Sequence, residues 1–375
     1  MSTPLLSVIV PVYNGGSVLP RCLEALRHSD LPRPLWELIV VDDASTDATP
    51  EIAAAQADVV VRLPGRPHGP AYVRNRGSEV ARGQILVFVD ADVCIHPDAL
   101  RRFAQVFAAN PDVSAVFGSY DDSPPAPGTV SKYRNLLHYW VHQQHAGDAE
   151  TFWAGCGAVR ADVFREAGMY DEWRYTRPQI EDIELGQRIR ALGHRILLCP
   201  EIQGTHLKQW TLRNVISTDL NDRGVPWMRL LVEHGMVSTK ETLNLRQVER
   251  INTALVGLAT LALLAAIGWR EPWLLLLALA LALPVIYTNR RFYDFFRRRQ
   301  GLWFALKVLP LHLAYYVVNG FSATIGWLLH HVVGEPAPAA SVQAFAETGL
   351  QSWPPVPRRI QPKRRASDKS PSVKA

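Results

Sequence analysis

A few short stretches hold most of the residues able to do chemistry. Asp90 and Asp92 are spaced Asp-x-Asp behind the apolar run Ile85–Val89. Two carboxylates at that spacing suit a hard divalent cation, Mg2+ or Mn2+, with water and phosphate oxygens in its other positions. Asp42-Asp43 closes a second apolar run, and Arg74 follows His68-Gly69-Pro70-Ala71, adding a positive charge. Such a set fits the departure of a diphosphate, where growing negative charge must be met by cations. Glu181-Asp182 opens the amphipathic segment Ile180–Leu192. Acidic residues favour a helix N-terminus on structural grounds alone. Chemically, one of these carboxylates can take the proton of an attacking hydroxyl. Gly155-Cys156-Gly157-Ala158 offers small side chains, against which an acceptor can approach the backbone.

These residues need a frame. Leu6–Val12, Leu35–Val41, Val59–Leu63, Ile85–Val89 and Val113–Phe117 are nearly continuous apolar runs, as expected of strands buried on both faces. Ser17–His28, Thr46–Gln56, Pro70–Ala81 and Pro97–Ala109 read as helices between them, the last with Pro97 and Asp98 as start signals. The alternation predicts an α/β fold, a doubly wound and mostly parallel sheet. Ligands of such sheets bind beyond the C-terminal strand ends. There the sequence puts Pro11-Val12-Tyr13-Asn14, Asp42-Asp43 and Asp90-Ala91-Asp92; Ser45, Thr46 and Asp47 read as turn and cap residues.

After residue 250 the pattern changes. Ile251–Trp269 runs 19 residues and Pro272–Asn289 18 residues without a charged side chain, separated only by Arg270-Glu271. Each is long enough for a ~30 Å hydrocarbon layer, so the pair predicts a transmembrane hairpin. Arg290, Arg291, Arg297, Arg298 and Arg299 follow, which places that end in the cytoplasm. Val308–Gly334 also lacks Asp, Glu, Lys and Arg, but Pro310, His312, Asn319 and Gly320 leave crossing, re-entry and an interfacial position all open. The net charge is +5, yet Trp353–Ala375 alone carries seven Lys or Arg and one Asp, so the rest sums to 5 − 6 = −1. The basicity belongs to a tail suited to anionic lipid, not to a nucleic-acid-binding fold. The four cysteines have neither CxxC nor zinc spacing, which suits a reduced compartment. The expected organisation is a cytosolic domain over 1–235, juxtamembrane and transmembrane helices over 236–334, and a disordered basic tail over 335–375, in a multi-pass protein of the cell membrane.

Six motifs in order, SVIVPVYN (Ser7–Asn14), VVDDASTD (Val40–Asp47), HGPAYVRNRG (His68–Gly77), FVDADV (Phe88–Val93), GCGAVRADVFREAGMYDE (Gly155–Glu172) and Glu181-Asp182, resemble those of family-2 glycosyltransferases. The resemblance covers about residues 5–235. It implies a GT-A fold, a nucleotide-sugar donor, and an inverting reaction that depends on a divalent cation. By position, Pro11, Tyr13, Asp42, Asp43, Arg74, Asp90 and Lys208 would bind the nucleotide sugar. Asp90, Asp92 and His206 would hold the metal, Asp182 with Glu181 would supply the base, and Gly155 and Gly157 would border the acceptor. The acceptor implied by membrane attachment is lipid-linked or membrane-proximal. The QxxRW motif of processive synthases is absent; Arg223–Trp227 (RGVPW) matches it only loosely. A processive polysaccharide synthase, a nucleotidyltransferase and a non-catalytic membrane binding module are the alternatives. Tyr13-Asn14-Gly15-Gly16 lacks the cations that a nucleotidyltransferase loop needs. His138, His142 and His145 share one helical face without a carboxylate or thiol partner, and are not assigned a metal.

Overall fold

The apolar runs assemble into one sheet in the computed structural model, which describes residues 3–235 and 247–334. Its strands are β1 (Leu6–Val12), β2 (Trp36–Asp42), β3 (Val59–Arg62), β4 (Ile85–Val89), β5 (Val93–Ile95), β6 (Val113–Tyr120), β7 (Gly147–Ala149), β8 (Cys156–Arg160) and β9 (Arg195–His206). The order is β3-β2-β1-β4-β8-β6-β9-β5, and β7 pairs with β9. The β3-β2-β1-β4 half is wholly parallel, as is β6 with β9. β8 runs antiparallel between β4 and β6. Residues of β1 alternate between two cores: Leu6, Val8 and Val10 meet the helices Leu19–Arg27 and Ala99–Ala109, while Ile9 faces Pro70–Val80 and Glu181–Ala191. Burial on both faces explains the unbroken apolar runs. The architecture is of GT-A type, a mixed sheet followed by a helical region.

Several boundaries differ from the sequence expectation. Helix Ala99–Ala109 starts two residues after Pro97, and the Asp98 side chain pairs with Arg102 rather than capping. Cys156-Gly157-Ala158 lies within β8, and Gly155 is in the turn that leads into it. Gly157 lies inside β8, paired with Phe88 and Phe117, where a Cβ would stand 2.2 Å from the Trp153 carbonyl. A Cβ on Gly155 would stand 2.4 Å from the Trp153 ring. Both glycines are buried and make room for the Phe152-Trp153 segment. β9 was not expected as a strand; its 12 residues contain Pro200 and Gly204, which hide the pattern.

Beyond β9 come the helix Leu212–Ser217, a π-helical turn over Thr218–Gly224 and the helix Val225–Glu233. Gln247–Trp269 and Leu302–Val333 are each long and apolar enough to cross a membrane. Trp273–Thr288 passes that test only together with Arg290–Gln300, from which it is bent by 70°. Leu302–Val333 is one continuous helix through Pro310. The expected tail, 335–375, and the stretch 236–246 lie outside the described residues.

Candidate active site

β4 stops at Val89, and the chain turns at once. The Asp90 N–H donates to the Gly155 carbonyl (3.2 Å), and the Val93 N–H donates back to the Asp90 carbonyl (2.9 Å). This turn delivers Asp92 beside β5, whose Val93 pairs with His206 at the end of β9. The His206 ring lies 3.4 Å from Asp92 through Nε2, and its Nδ1 is 2.7 Å from the Asn135 Oδ1. The Asn135 amide donates to the Lys208 carbonyl (3.3 Å), so its oxygen is the atom left to accept from Nδ1–H. Nδ1–H is thereby spent on Asn135, which leaves Nε2 as the ring atom directed at Asp92. Burial raises the Asp92 carboxyl, but the His206 hydrogen bond and the charges of His206 and Lys208 outweigh it, holding Asp92 below the usual range.

Asp90 does not join that pair. Its Oδ1 accepts from Arg74 (2.7 Å), whose second nitrogen donates to Glu181 (2.9 Å). Among the described residues no three His, Cys, Asp or Glu side chains converge as a metal site. Of the expected ligands, the structure brings Asp92 and His206 together, while Asp90 is held by Arg74. A nitrogen and a carboxylate with phosphate and water completing the shell suit Mn2+ or Mg2+.

Arg74 is 5% exposed and Glu181 4%, so this bridge is a buried tie between the end of β4 and the start of Glu181–Ala191. Glu181 also accepts from the Gln179 N–H. With both oxygens engaged, Glu181 holds Arg74 in place. Asp182 is different. It accepts from the Ala154 N–H (3.1 Å) and the Ile183 N–H (2.8 Å) and has no cationic hydrogen-bond partner. Burial and then the Glu181 charge push its carboxyl up to about 7, against the opposing pull of Arg74. A carboxylate poised there is suited to general base chemistry near neutral pH.

The other expected residues divide. Tyr13 stands 51% exposed beyond β1, and Pro11 is half-buried. Asp42 is fully buried; its Oδ1 accepts from the Ser45 N–H (3.1 Å), and its Oδ2 has no hydrogen bond, only Arg62 at 3.6 Å. Asp43 is spent on the backbone, accepting from the N–H groups of His68 and Gly69 and from the His68 ring (2.9 Å each). It fixes the entry to the helix of Arg74. Lys208 is exposed, with its Nζ 4.3 Å over the Trp210 ring.

Sequence reasoning missed an aromatic cluster. Tyr120 stacks on His206 at 4.1 Å and meets His138 and Trp153 at 4.4 and 4.8 Å. Burial and the neighbouring His142 hold the His138 imidazole neutral, well below its ordinary value. It also missed Asn135, and Arg223 enters it only as the start of the loose RGVPW match. The Arg223 side chain has open surface and no hydrogen bond or ion pair among the described residues. No local signal singles out Tyr120, Asn135 or Trp153.

The profile of glycosyl transferase family 2 matches residues 7–168. Glycosyltransferase AglE of Haloferax volcanii is 32% identical over 207 residues, 54% of this chain and 67% of AglE. The chain belongs to glycosyltransferase family 2. Putative glycosyltransferase EpsH of Bacillus subtilis is 40% identical over 101 residues, but only 29% of its length is covered. The mannosyltransferase PcManGT of Pyrobaculum calidifontis, solved with GDP-Man and Mn2+, matches over 89% of each chain with a TM-score of 0.51 at 19% identity, a likeness of fold. As a member of this family the chain is an enzyme that transfers sugar.

Proposed function

We propose that this family-2 glycosyltransferase is membrane-anchored and inverting, and moves one sugar from a nucleotide diphosphate sugar to a lipid-linked or membrane-proximal acceptor. The observation that carries the reading is the contrast at one rim. Asp182 is a half-buried carboxyl raised toward neutrality, while the Asp92 carboxyl beside His206 is held below the usual range, with Arg74 binding Asp90 and Glu181 in between. Environments that push two acids apart separate base from ligand. Asp182 takes the proton of an acceptor hydroxyl. That oxygen bonds to the anomeric carbon as the nucleoside diphosphate leaves from the opposite face, which inverts the centre. A divalent cation, Mg2+ or Mn2+, held by Asp92 and His206 would offset charge on the departing diphosphate. Tyr13, Pro11 and Asp42 line the donor side at the ends of β1 and β2, and Lys208 supplies a further charge for phosphate. The apolar hairpin supports membrane attachment, and its arginine-rich exit supports a cytoplasmic catalytic face.

The test is a panel of UDP- and GDP-sugars with Mn2+, assayed on the full chain in nanodiscs against lipid phosphates. GDP-mannose belongs in it because the fold neighbour binds that donor. Asp182→Asn should lower turnover by about 100-fold or more while donor affinity changes little. Lost donor affinity with normal turnover would move Asp182 to the donor site.

A further inference from the structure

Leu302–Val333 has 32 residues and is therefore about 48 Å long. It passes the length and composition test for a membrane span. Its packing is that of something else. Near its start, Ala305 and Val308 are buried with Tyr133 and Leu136 of the catalytic domain. Five turns on, the Ser322 hydroxyl lies 3.5 Å from the Asp219 carbonyl, and a Cβ on Gly224 would meet the Ser322 side chain at 2.4 Å. One turn further, Gly326 sits where a Cβ would be 2.7 Å from Met228. At the far end the Gly334 carbonyl accepts from Arg229 (2.6 Å). Both ends and the middle thus rest on the same domain.

The helix meets the apolar hairpin near the hairpin's base. The Tyr316 hydroxyl donates to Glu249 (2.7 Å) and accepts from Asn252 and Asn289 (3.2 Å each). Val256 and Val285 pack beside that ring. All are at the hairpin's base, whereas its tip carries Trp269 and Trp273, 75% and 58% exposed. Arg290–Gln300, which joins hairpin to helix, turns away from Trp273–Thr288 by 70°. Its Phe292 and Phe296 are buried on the domain side, where Arg299 pairs with Asp122 (2.6 Å), and Arg290 and Arg291 at its start are exposed. The remaining face of the long helix is open and apolar, with Leu306, Phe321, Ile325, Leu328 and Val332 exposed.

A helix that crosses ~30 Å of hydrocarbon carries its two ends to opposite sides. One domain in water cannot hold both ends. We infer that Leu302–Val333 lies in the plane of the bilayer interface, with its open face in the lipid and the catalytic domain seated on its other face. Its occupant is the lipid surface, continuous with the hairpin that it crosses at the base, and the adjoining arginines meet anionic headgroups. The chain then crosses the membrane twice, and Gly334 is on the catalytic side. The seat also fixes the π-helical turn, and with it Arg223, at the height of the lipid headgroups.

The inference rests on the membrane-anchored reading but not on sugar transfer, so its test reads topology. Lys307→Cys, His331→Cys and, at the hairpin tip, Glu271→Cys are made in the full chain; all three side chains are exposed. Labelling with an impermeant maleimide is compared between intact cells and inside-out vesicles. Leu306→Cys, Phe321→Cys and Leu328→Cys carry an environment-sensitive dye in vesicles of phosphatidylcholine and phosphatidylglycerol. An in-plane helix leaves positions 307 and 331 inaccessible from the face that labels 271. It also gives all three dyes stronger quenching by a nitroxide near the headgroup than by one near the bilayer centre. Labelling of either 307 or 331 from the face of 271, or a dye at 321 quenched most from the bilayer centre, overturns the inference. Labelling of 271 from the catalytic side instead removes the crossing hairpin and the membrane-anchored reading with it.

Discussion

Glu181→Gln separates the proposed base from the neighbour that tunes it. In the wild type, burial and then Glu181 raise the Asp182 carboxyl to about 7, and Arg74 opposes them. Gln keeps the shape and can still accept from Arg74, but the negative charge is gone. Charges roughly 5–8 Å apart at an effective dielectric near 20 interact by about 2–3 kcal/mol, and Arg74 nearby screens part of this. The Asp182 carboxyl should therefore fall by about one pH unit. A protonated Asp182 cannot take a proton, so activity is lost as pH drops through its value. The acid limb of kcat/KM should accordingly move to lower pH by that amount in the variant, measured between about pH 5 and 9. The stability sign follows from the same shift. The folded carboxyl lies above its unfolded value of about 3.9, so stability is lost as pH rises from about 4 to about 7. The variant loses less over that window, but also gives up about 1–2 kcal/mol as the Arg74 hydrogen bond loses its charged acceptor. Thermal unfolding at about pH 5 and pH 8 reads both. If transfer disappears at every pH, Glu181 is itself the proton acceptor. If the limb does not move, the raised carboxyl does not control the rate.

Asp92→Asn should abolish Mn2+-dependent binding of UDP or GDP, read by calorimetry with and without chelator; unchanged metal dependence would remove Asp92 from the cation. Gly157→Ala puts a Cβ 2.2 Å from the Trp153 carbonyl and 2.7 Å from the Phe152 ring, so unfolding should come easier by about 1–3 kcal/mol. A normal melting curve with a selective rise in acceptor KM would return Gly157 to the acceptor. Arg134→Met strips the partner of the buried Asp219, 2.5 Å away, and should cost about 3–5 kcal/mol in a melting experiment. An unchanged melt would mean that the Asp219 carboxylate finds water.

Whatever depends on neighbours along the chain was readable in the sequence. β1, β2 and β4 were visible because strands buried on both faces need unbroken apolar runs. The strand-end carboxylates followed from them, and the two uncharged runs announced the hairpin. Residues that matter through distant partners were not readable in this way. Arg74 and Glu181 are 107 positions apart, and His206 and Asn135 are 71 apart; only the sheet order brings each pair together. Asp42 and Asp43 are adjacent and chemically alike, yet one keeps an oxygen without a hydrogen bond while the other is consumed by the turn at His68–Gly69. Composition gave Leu302–Val333 the look of a membrane span, because hydropathy counts apolar residues and not the direction they face. Whether that helix pierces the lipid or lies along it depends on what its buried side touches, and that side rests on the catalytic domain from Ala305 to Gly334.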